Sequence, residues 1–537
     1  MRQLSGLDSS FLFTETSNAP MHVGNVGIYD PSTAPDGKVT LERIISTLNE
    51  RAHLAPALRE RLVEVPFNAD FPYWVKEKSY DPELHIHHMA LPQPGDWKQF
   101  CIQVARIHAR PLDRSRPLWE LHLIEGLDNI DGIPPGCFAL VSKTHHAAVD
   151  GASNADTGLA LCDPTPEIRK MDAEEEWVAD RPPTAIELSM LAHANNLTRP
   201  QRYLEYLQES ISSLRKAQEL LSERDRTAFN KIPRTRFNKV VSRNRVFDGV
   251  SFRLDEIKRI KRLAEGTVND VVLAICAGAM RRYLIDKNEL PEETLVSMCP
   301  ISLRNAVTGS ESANQVSSMA IPLHTTIESP TERLTAIIRS TTEAKELSRA
   351  VSANTLVDAA NFISTQLFVA GARAAAEQGM ANFVSPFANT VITNVPGSPV
   401  PFYNNGALFV RGWGLGPPAD GNGLFHSVGS YCDELVISIC SCRDMMPDPE
   451  FYAECLKQSM SELLEAFDLS EPGALIEATA KPAPATSSKP KKTVKKTVRK
   501  KISTRVSKKK TVRKKTASKV TKKKTARKKK STKAAKK

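Results

Sequence analysis

At Lys481 the chain changes character, and this break limits where a fold can be built. Residues 481–537 hold 27 of the 73 Lys and Arg residues and none of the 61 Asp and Glu residues. Such a segment has too little apolar surface to offset the entropy of ordering it, so it is expected to be disordered. It also repeats, with KKTVRKK at Lys495 and Lys509 and KKTARKK at Lys523. Everything that folds must come from the first 480 residues, where 46 basic residues face 61 acidic ones for a net charge of −15. The overall charge of +12 averages an acidic body with a basic appendage and describes neither.

A body of this length is too long for one small core and implies several structural units. Its nine cysteines show no C-x-x-C pair, the nearest approach being Cys440 and Cys442, which points to free thiols in a reducing compartment. The longest apolar run, Val271 to Met280, falls short of the roughly 18 residues of a spanning helix. The opening MRQLSGLDSSFLF lacks a sustained apolar region and a small-residue cleavage site. The expectation is a soluble cytoplasmic body, with adsorption to a membrane surface left open.

Residues 1–183 mix strand and helix patterns, with strands expected over Val23 to Asp30, Leu118 to Leu127 and Cys137 to His146. A charged, amphipathic stretch within 184–246 reads as a helical connector, and RFNKVVSRNRVF at its end as an exposed loop. Residues 247–470 form a second mixed unit. Thr267, with Asp270 three residues on, is placed to cap a helix that is apolar on nearly every side and so deeply buried. Strands are expected over Leu295 to Arg304, Ser317 to Ile327, Thr390 to Gly397 and Tyr431 to Cys442, and a closing helix over Pro449 to Ala466. The tail is then 471–537. The fold class is α/β (α+β), two mixed-sheet domains and a connector.

The strand-like run ending in KTHHAAVDGAS places His145, His146, Asp150 and Gly151 where the chain should leave a sheet, and such loops are where scaffolds carry reactive groups. Neighbouring strand residues face opposite ways, so the two histidines should not converge on a metal ion. One can face a cleft while the other packs, and Asp150 can turn back to brace the loop. On the residues alone the signal is only moderately specific, since a lone histidine on an apolar strand is more often a satisfied core residue.

HHAAVDG matches HHxxxDG, and the chain resembles the bacterial wax ester synthase/acyl-CoA:diacylglycerol acyltransferase family of the chloramphenicol acetyltransferase-like superfamily. The resemblance runs over residues 1 to about 470. It includes LSGLDSSFLFTETSNAPMHVG at the start, RPLWE (Arg116 to Glu120), TVNDVV (Thr267 to Val272), PISLR (Pro300 to Arg304), ANQVS (Ala313 to Ser317) and TNVPGS (Thr393 to Ser398). This chain has ANQ and NVPGS where relatives commonly read GNQ and NVPGP.

The resemblance implies two chloramphenicol acetyltransferase-like domains and a histidine at their interface, His146, acting as general base. The base would take the proton of an acceptor hydroxyl as it attacks an acyl thioester, with no cofactor beyond acyl-CoA as substrate. The acceptor would be diacylglycerol, a long-chain fatty alcohol, or both. An alcohol is too weak an acid to ionise first, so its proton must leave as the carbon–oxygen bond forms. Asp150 is either an orienting partner of His146 or a structural partner of an arginine, with Arg304 the candidate. Gly151 serves the turn. Asn269 and Asp270 either reach the cleft or simply cap a helix, Trp119 is core or pocket wall, and Asn394 either helps bind substrate or shapes its loop. The rivals are a condensation-domain or polyketide-associated acyltransferase, which shares HHxxxDG, and a non-catalytic protein binding DNA or lipid through its tail. The resemblance places the enzyme peripherally at the inner membrane or lipid droplets. The tail suits anionic lipid and nucleic acid equally by charge, and an inert solvated extension is the third reading.

Overall fold

The structure is a computed structural model that describes residues 1–78, 80–149, 158, 161–171, 178–198, 232–302, 316–350 and 365–469. In chain order its first half carries β1 (Arg2–Gln3), α1 (Gly6–Thr14), β2 (His22–Asp30), α2 (Leu41–Arg51), β3 (Glu60–Val63), β4 (Tyr73–Lys76), β5 (Ile86–Ala90), α3 (Trp97–His108), β6 (Trp119–Glu125) and β7 (Phe138–His145). The second half carries β8 (Arg245–Arg253), α4 (Leu254–Leu263), α5 (Val268–Asp286), β9 (Val296–Ser302), β10 (Val316–Pro322), α6 (Pro330–Ala350) and α7 (Thr365–Glu377). It ends with β11 (Thr390–Val395), β12 (Tyr403–Asn404), β13 (Ala407–Leu415), β14 (Leu424–Tyr431), β15 (Glu434–Cys442) and α8 (Pro449–Ala466). The chain is thus a mixed α/β protein.

Two six-stranded sheets form the body, in the orders β12-β13-β2-β7-β6-β5 and β10-β9-β11-β14-β15-β8, and β1, β4 and β3 form a small third sheet. In the first sheet only β5 and β6 run parallel, while in the second β11 is parallel to both β14 and β9. The first sheet is not built from the first half alone. β12 and β13 cross from the second half, and β13 pairs antiparallel with β2 from Leu408 opposite Asp30 to Leu415 opposite Gly24.

The second half is organised around α5. Thr267 accepts from the Asp270 backbone N–H, and the Asp270 carboxylate accepts from the Thr267 N–H, the reciprocal cap its sequence implied. Val271, Val272, Leu273, Ile275, Met280 and Leu284 are all fully buried, each stabilising the fold by about 1.5–3 kcal/mol. Among the described residues no single helix is long and apolar enough to cross a membrane. Only α4 and α5 together pass that test, and the pair is bent by 100°.

The segment expected as an exposed loop is instead packed. Phe237, Asn238, Val241 and Arg245 are buried, because the Asn238 amide donates to the Ala388 and Gly421 carbonyls, both at 2.9 Å. A solitary side-chain amide thus supplies the partners that a loop backbone lacks. Of the expected connector, 185–198 is helical, 232–244 is turn and coil, and 199–231 lies outside the described residues.

One of the core clusters is built from both halves. Val26, Ile28, Phe100 and Val104 cluster with Phe247, Trp413, Leu415, Val436 and Cys440. Trp413 lies against Trp97, with ring centroids 4.8 Å apart, and passes over the backbone of Gly249 on β8. A Cβ at Gly249 would sit 2.5 Å from the rigid indole, so only glycine allows the sheets to approach this closely. Gly249→Ala is therefore expected to destabilise the protein by about 1–3 kcal/mol, read as a lowered urea midpoint with an unchanged slope.

Candidate active site

β7 is the strand that delivers the histidine motif. It pairs with β2 so that His145 lies opposite His22, and the chain then leaves the sheet in a turn. The turn is held by its own backbone. The His146 N–H donates to the Met21 carbonyl at 2.8 Å, the Ala147 N–H to His145 Nδ1 at 3.0 Å, and the Ala148 N–H to the His145 carbonyl at 2.9 Å. Ala147 is fully buried beneath it, among Leu4, Leu12, Trp74 and Leu118.

The two motif histidines diverge. His145 is buried and faces inward, its Nε2 3.6 Å from Glu15 Oε2 and its ring edge-on to His22. His146 is partly buried, and its ring stacks on Phe11 with centroids 4.0 Å apart and planes 6° from parallel. Phe11 comes from α1, a nine-residue helix started by Ser5, whose side chain accepts the Asp8 N–H. Phe11 packs against the cores of both halves, and Met21 belongs to the core of the second half. The residue that holds the His146 backbone and the ring that stacks on it therefore lie where the two halves meet.

Behind the motif sits a buried polar cluster that the sequence reading missed. Glu15 follows α1 directly and accepts from the Met21 N–H at 3.1 Å and from Arg114 Nε at 3.1 Å. Its second oxygen faces His145, and its first is 3.5 Å from His22 Nε2. Burial pushes the Glu15 carboxyl upward, but the His145 and His22 imidazoles and the Arg114 guanidinium hold it far below the usual carboxylate range. His108 Nε2 bonds the Gly416 carbonyl at 2.9 Å, and its ring is edge-on to His22. Burial depresses His22 to about 4 and His108 to about 3, so both are neutral at pH 7. The opening segment carries Arg2, Asp8, Glu15 and His22 among many Ser and Thr residues, so nothing in its pattern sets Glu15 apart.

The remaining candidates divide. Trp119 is buried in a core with Leu123, Phe138 and Leu140, stacks on His85 at 4.4 Å and donates to the Leu58 carbonyl. Asp270 is not free to reach a cleft, since Thr267 and Thr341 occupy its two oxygens. Asn269 is partly buried at the start of α5, and Asn394 partly buried on β11 opposite Val428. Asp150, Gly151 and Arg304 lie outside the described residues.

His87, Glu120 and His122 bring donor atoms within 4.8 Å of one another. Glu120 Oε2 is already bonded to Lys143 Nζ at 2.7 Å and to His122 Nε2 at 3.1 Å, so this is a neutralised ion pair and not an open coordination sphere. A surface cavity of about 490 Å³ lies among Met1, Asp180, Arg181, Glu187 and Met190, and no motif residue lines it.

Comparison with known proteins gives a consistent picture. Residues 4–272 match the wax ester synthase/diacylglycerol acyltransferase catalytic domain and 312–464 the C-terminal domain of the same family. A putative diacylglycerol O-acyltransferase of Mycobacterium tuberculosis is 31% identical over 471 residues, covering 87% of this chain and 91% of the relative. The solved wax ester synthase/diacylglycerol acyltransferase of Marinobacter aquaeolei VT8 superposes with a TM-score of 0.61 at 27% identity, covering 87% of this chain and all of that one. The first condensation domain of the calcium-dependent antibiotic synthetase shares the fold, with a TM-score of 0.54 at 12% identity over 89% of this chain and 98% of that one.

The buried imidazoles have a measurable consequence. An unfolded histidine titrates near 6.5, so as the pH falls from 6.5 toward 4 the unfolded chain takes up a proton that folded His22 refuses, and stability drops. The unfolding free energy is expected to be lower at pH 5 than at pH 7, and His22→Gln should shrink that difference by about 2 kcal/mol. Denaturant titrations at the two pH values check it.

Proposed function

Because the chain belongs to the wax ester synthase/diacylglycerol acyltransferase family and is an acyltransferase, we propose that it moves a long-chain acyl group from acyl-CoA to diacylglycerol or a fatty alcohol with His146 as general base. One observation carries the assignment of the base. His146 is the motif histidine that stays partly open and is braced at the meeting of the two halves, while His145 is buried against Glu15.

In this reading the His146 imidazole accepts the proton of the acceptor hydroxyl as its oxygen attacks the thioester carbon. The carbon–sulfur bond then breaks, and the protonated imidazole returns the proton to the departing thiolate of coenzyme A. Imidazole suits both transfers near neutral pH, and a thiolate leaves readily enough that no covalent enzyme intermediate is needed. The Phe11 ring limits rotation of the base. Asn269 and Asn394 are the polar groups offered to substrate. With palmitoyl-CoA and either hexadecanol or diolein, His146→Ala is expected to lower thiol release by about 10² to 10⁴. Equal rates in the two proteins would end the assignment.

We also propose a cytoplasmic enzyme held peripherally at the inner membrane or at lipid droplets. The supporting observation is the run of 27 basic residues without an acid in 481–537. Near an anionic bilayer such residues contribute about 1 kcal/mol each before saturation. Removing 481–537 should abolish salt-sensitive binding to vesicles containing phosphatidylglycerol while leaving the turnover of soluble substrates unchanged. If the truncated protein loses only affinity for duplex DNA, the tail serves nucleic acid instead, and unchanged binding to both would make it inert.

A further inference from the structure

We infer that Glu15 is a positioning residue for the base, acting on His146 through Met21 and His145. The inference rests on His146 being the base, but it concerns a group that never touches substrate. Two consecutive backbone N–H groups, those of His146 and Ala147, fix the turn that carries the imidazole, and both lead to the same carboxylate. On one arm the His146 N–H ends on the Met21 carbonyl at 2.8 Å, and the Met21 N–H ends on Glu15 Oε1 at 3.1 Å. On the other arm the Ala147 N–H ends on His145 Nδ1 at 3.0 Å. An accepting Nδ1 places the proton of that neutral ring on Nε2, and Nε2 faces Glu15 Oε2 at 3.6 Å. The carboxylate therefore holds the His146–Ala147 unit by hydrogen bonds through Met21 and faces its other support, the His145 ring, across 3.6 Å.

Glu15 is itself over-determined. Arg114 reaches its carboxylate and, through a second nitrogen, the Leu12 carbonyl at 2.9 Å, which locks Glu15 to the end of α1. The same helix supplies Phe11, whose ring lies on the His146 imidazole. Backbone and ring plane of the base are thus set by one short segment, residues 11–21. A purely stabilising ion pair between Glu15 and Arg114 would need neither the Met21 nor the His145 contact. A general base displaced by about 1 Å loses about 10²-fold in rate, so both arms bear on turnover.

The side-chain changes separate reach from charge. Glu15→Gln keeps the length and one carbonyl oxygen for Met21 but turns an amide N–H₂ toward the His145 Nε2–H. Glu15→Asp keeps the charge but is one methylene too short to serve both arms. In the full-length enzyme each is expected to lower kcat by about 10- to 100-fold, with KM for palmitoyl-CoA and for hexadecanol within about 3-fold of wild type and the thermal midpoint within a few degrees. If one variant does not fold, the other carries the test. In the His146→Ala background the same substitutions should change the residual rate by less than about 2-fold, because a group acting through His146 has nothing left to act on. Wild-type kcat in a folded variant, a loss confined to KM, or an undiminished effect in the His146→Ala background would each overturn the role of Glu15. If His146→Ala alone retains the wild-type rate, the base assignment fails first, and the two failures are distinguishable.

Discussion

The return of β13 to β2 is the constraint on which the rest of the molecule depends. β2 lies between β13 and β7, with its own hydrogen-bonding capacity divided between a strand from residues 407–415 and a strand from residues 138–145. Met21 and His22, at the entrance to β2, are the residues that meet the histidine turn. Their position is therefore set by pairing on both edges of one strand. Across the sheets, Arg411 on β13 forms a bidentate ion pair with Glu434, and the Ser438 hydroxyl donates to the Gly414 carbonyl, so the same strand also ties the second sheet to the first. Hydrogen bonds to a charged group are stronger than neutral ones, and here they join the two sheets.

Within that frame, the chemistry is arranged by desolvation. A buried carboxylate is costly unless it is paired and hydrogen-bonded. Glu15 meets that condition with Arg114, the Met21 N–H and two neutral imidazoles around it. His22 and His108 resist protonation because their surroundings exclude water, which leaves Arg114 to balance the acid. Nearby, Lys143 is buried and donates to the Ile107 and Arg110 carbonyls at the end of α3 as well as to Glu120. Charge near the end of a helix is used here to anchor β7, the strand that leads into the motif.

Much of this was legible in the residues. The apolar run before HHAAVDG predicted a strand ending at the histidines, and β7 ends at His145. The T-V-N-D spacing predicted the cap of α5, and Pro449 to Ala466 predicted α8. β13 was missed because ALFVRGWGL carries two glycines and an arginine, a pattern that reads as loop until β2 and the second sheet surround it. RFNKVVSRNRVF was misjudged because its basic residues suggested exposure, whereas Arg245 reaches the Asn18 carbonyl and Asn238 ties two distant loops. Glu15 could not be singled out, because its role exists only once residues 15, 21, 114 and 145 are brought together. Trp119 and Asp270, both within matched motifs, are engaged in core packing and in helix capping.

The crossing of β13 also bears on how the molecule is born. As the chain emerges from the ribosome, β2 is made early, but the strand that completes one of its edges follows almost 400 residues later. Until then, the backbone of Val26 and Ile28 presents unsatisfied amides beside an apolar face, a template for pairing with another nascent chain. The first half is consequently not a self-sufficient folding unit, and a messenger cut before the codons for β13 yields an adhesive intermediate in place of a smaller working enzyme.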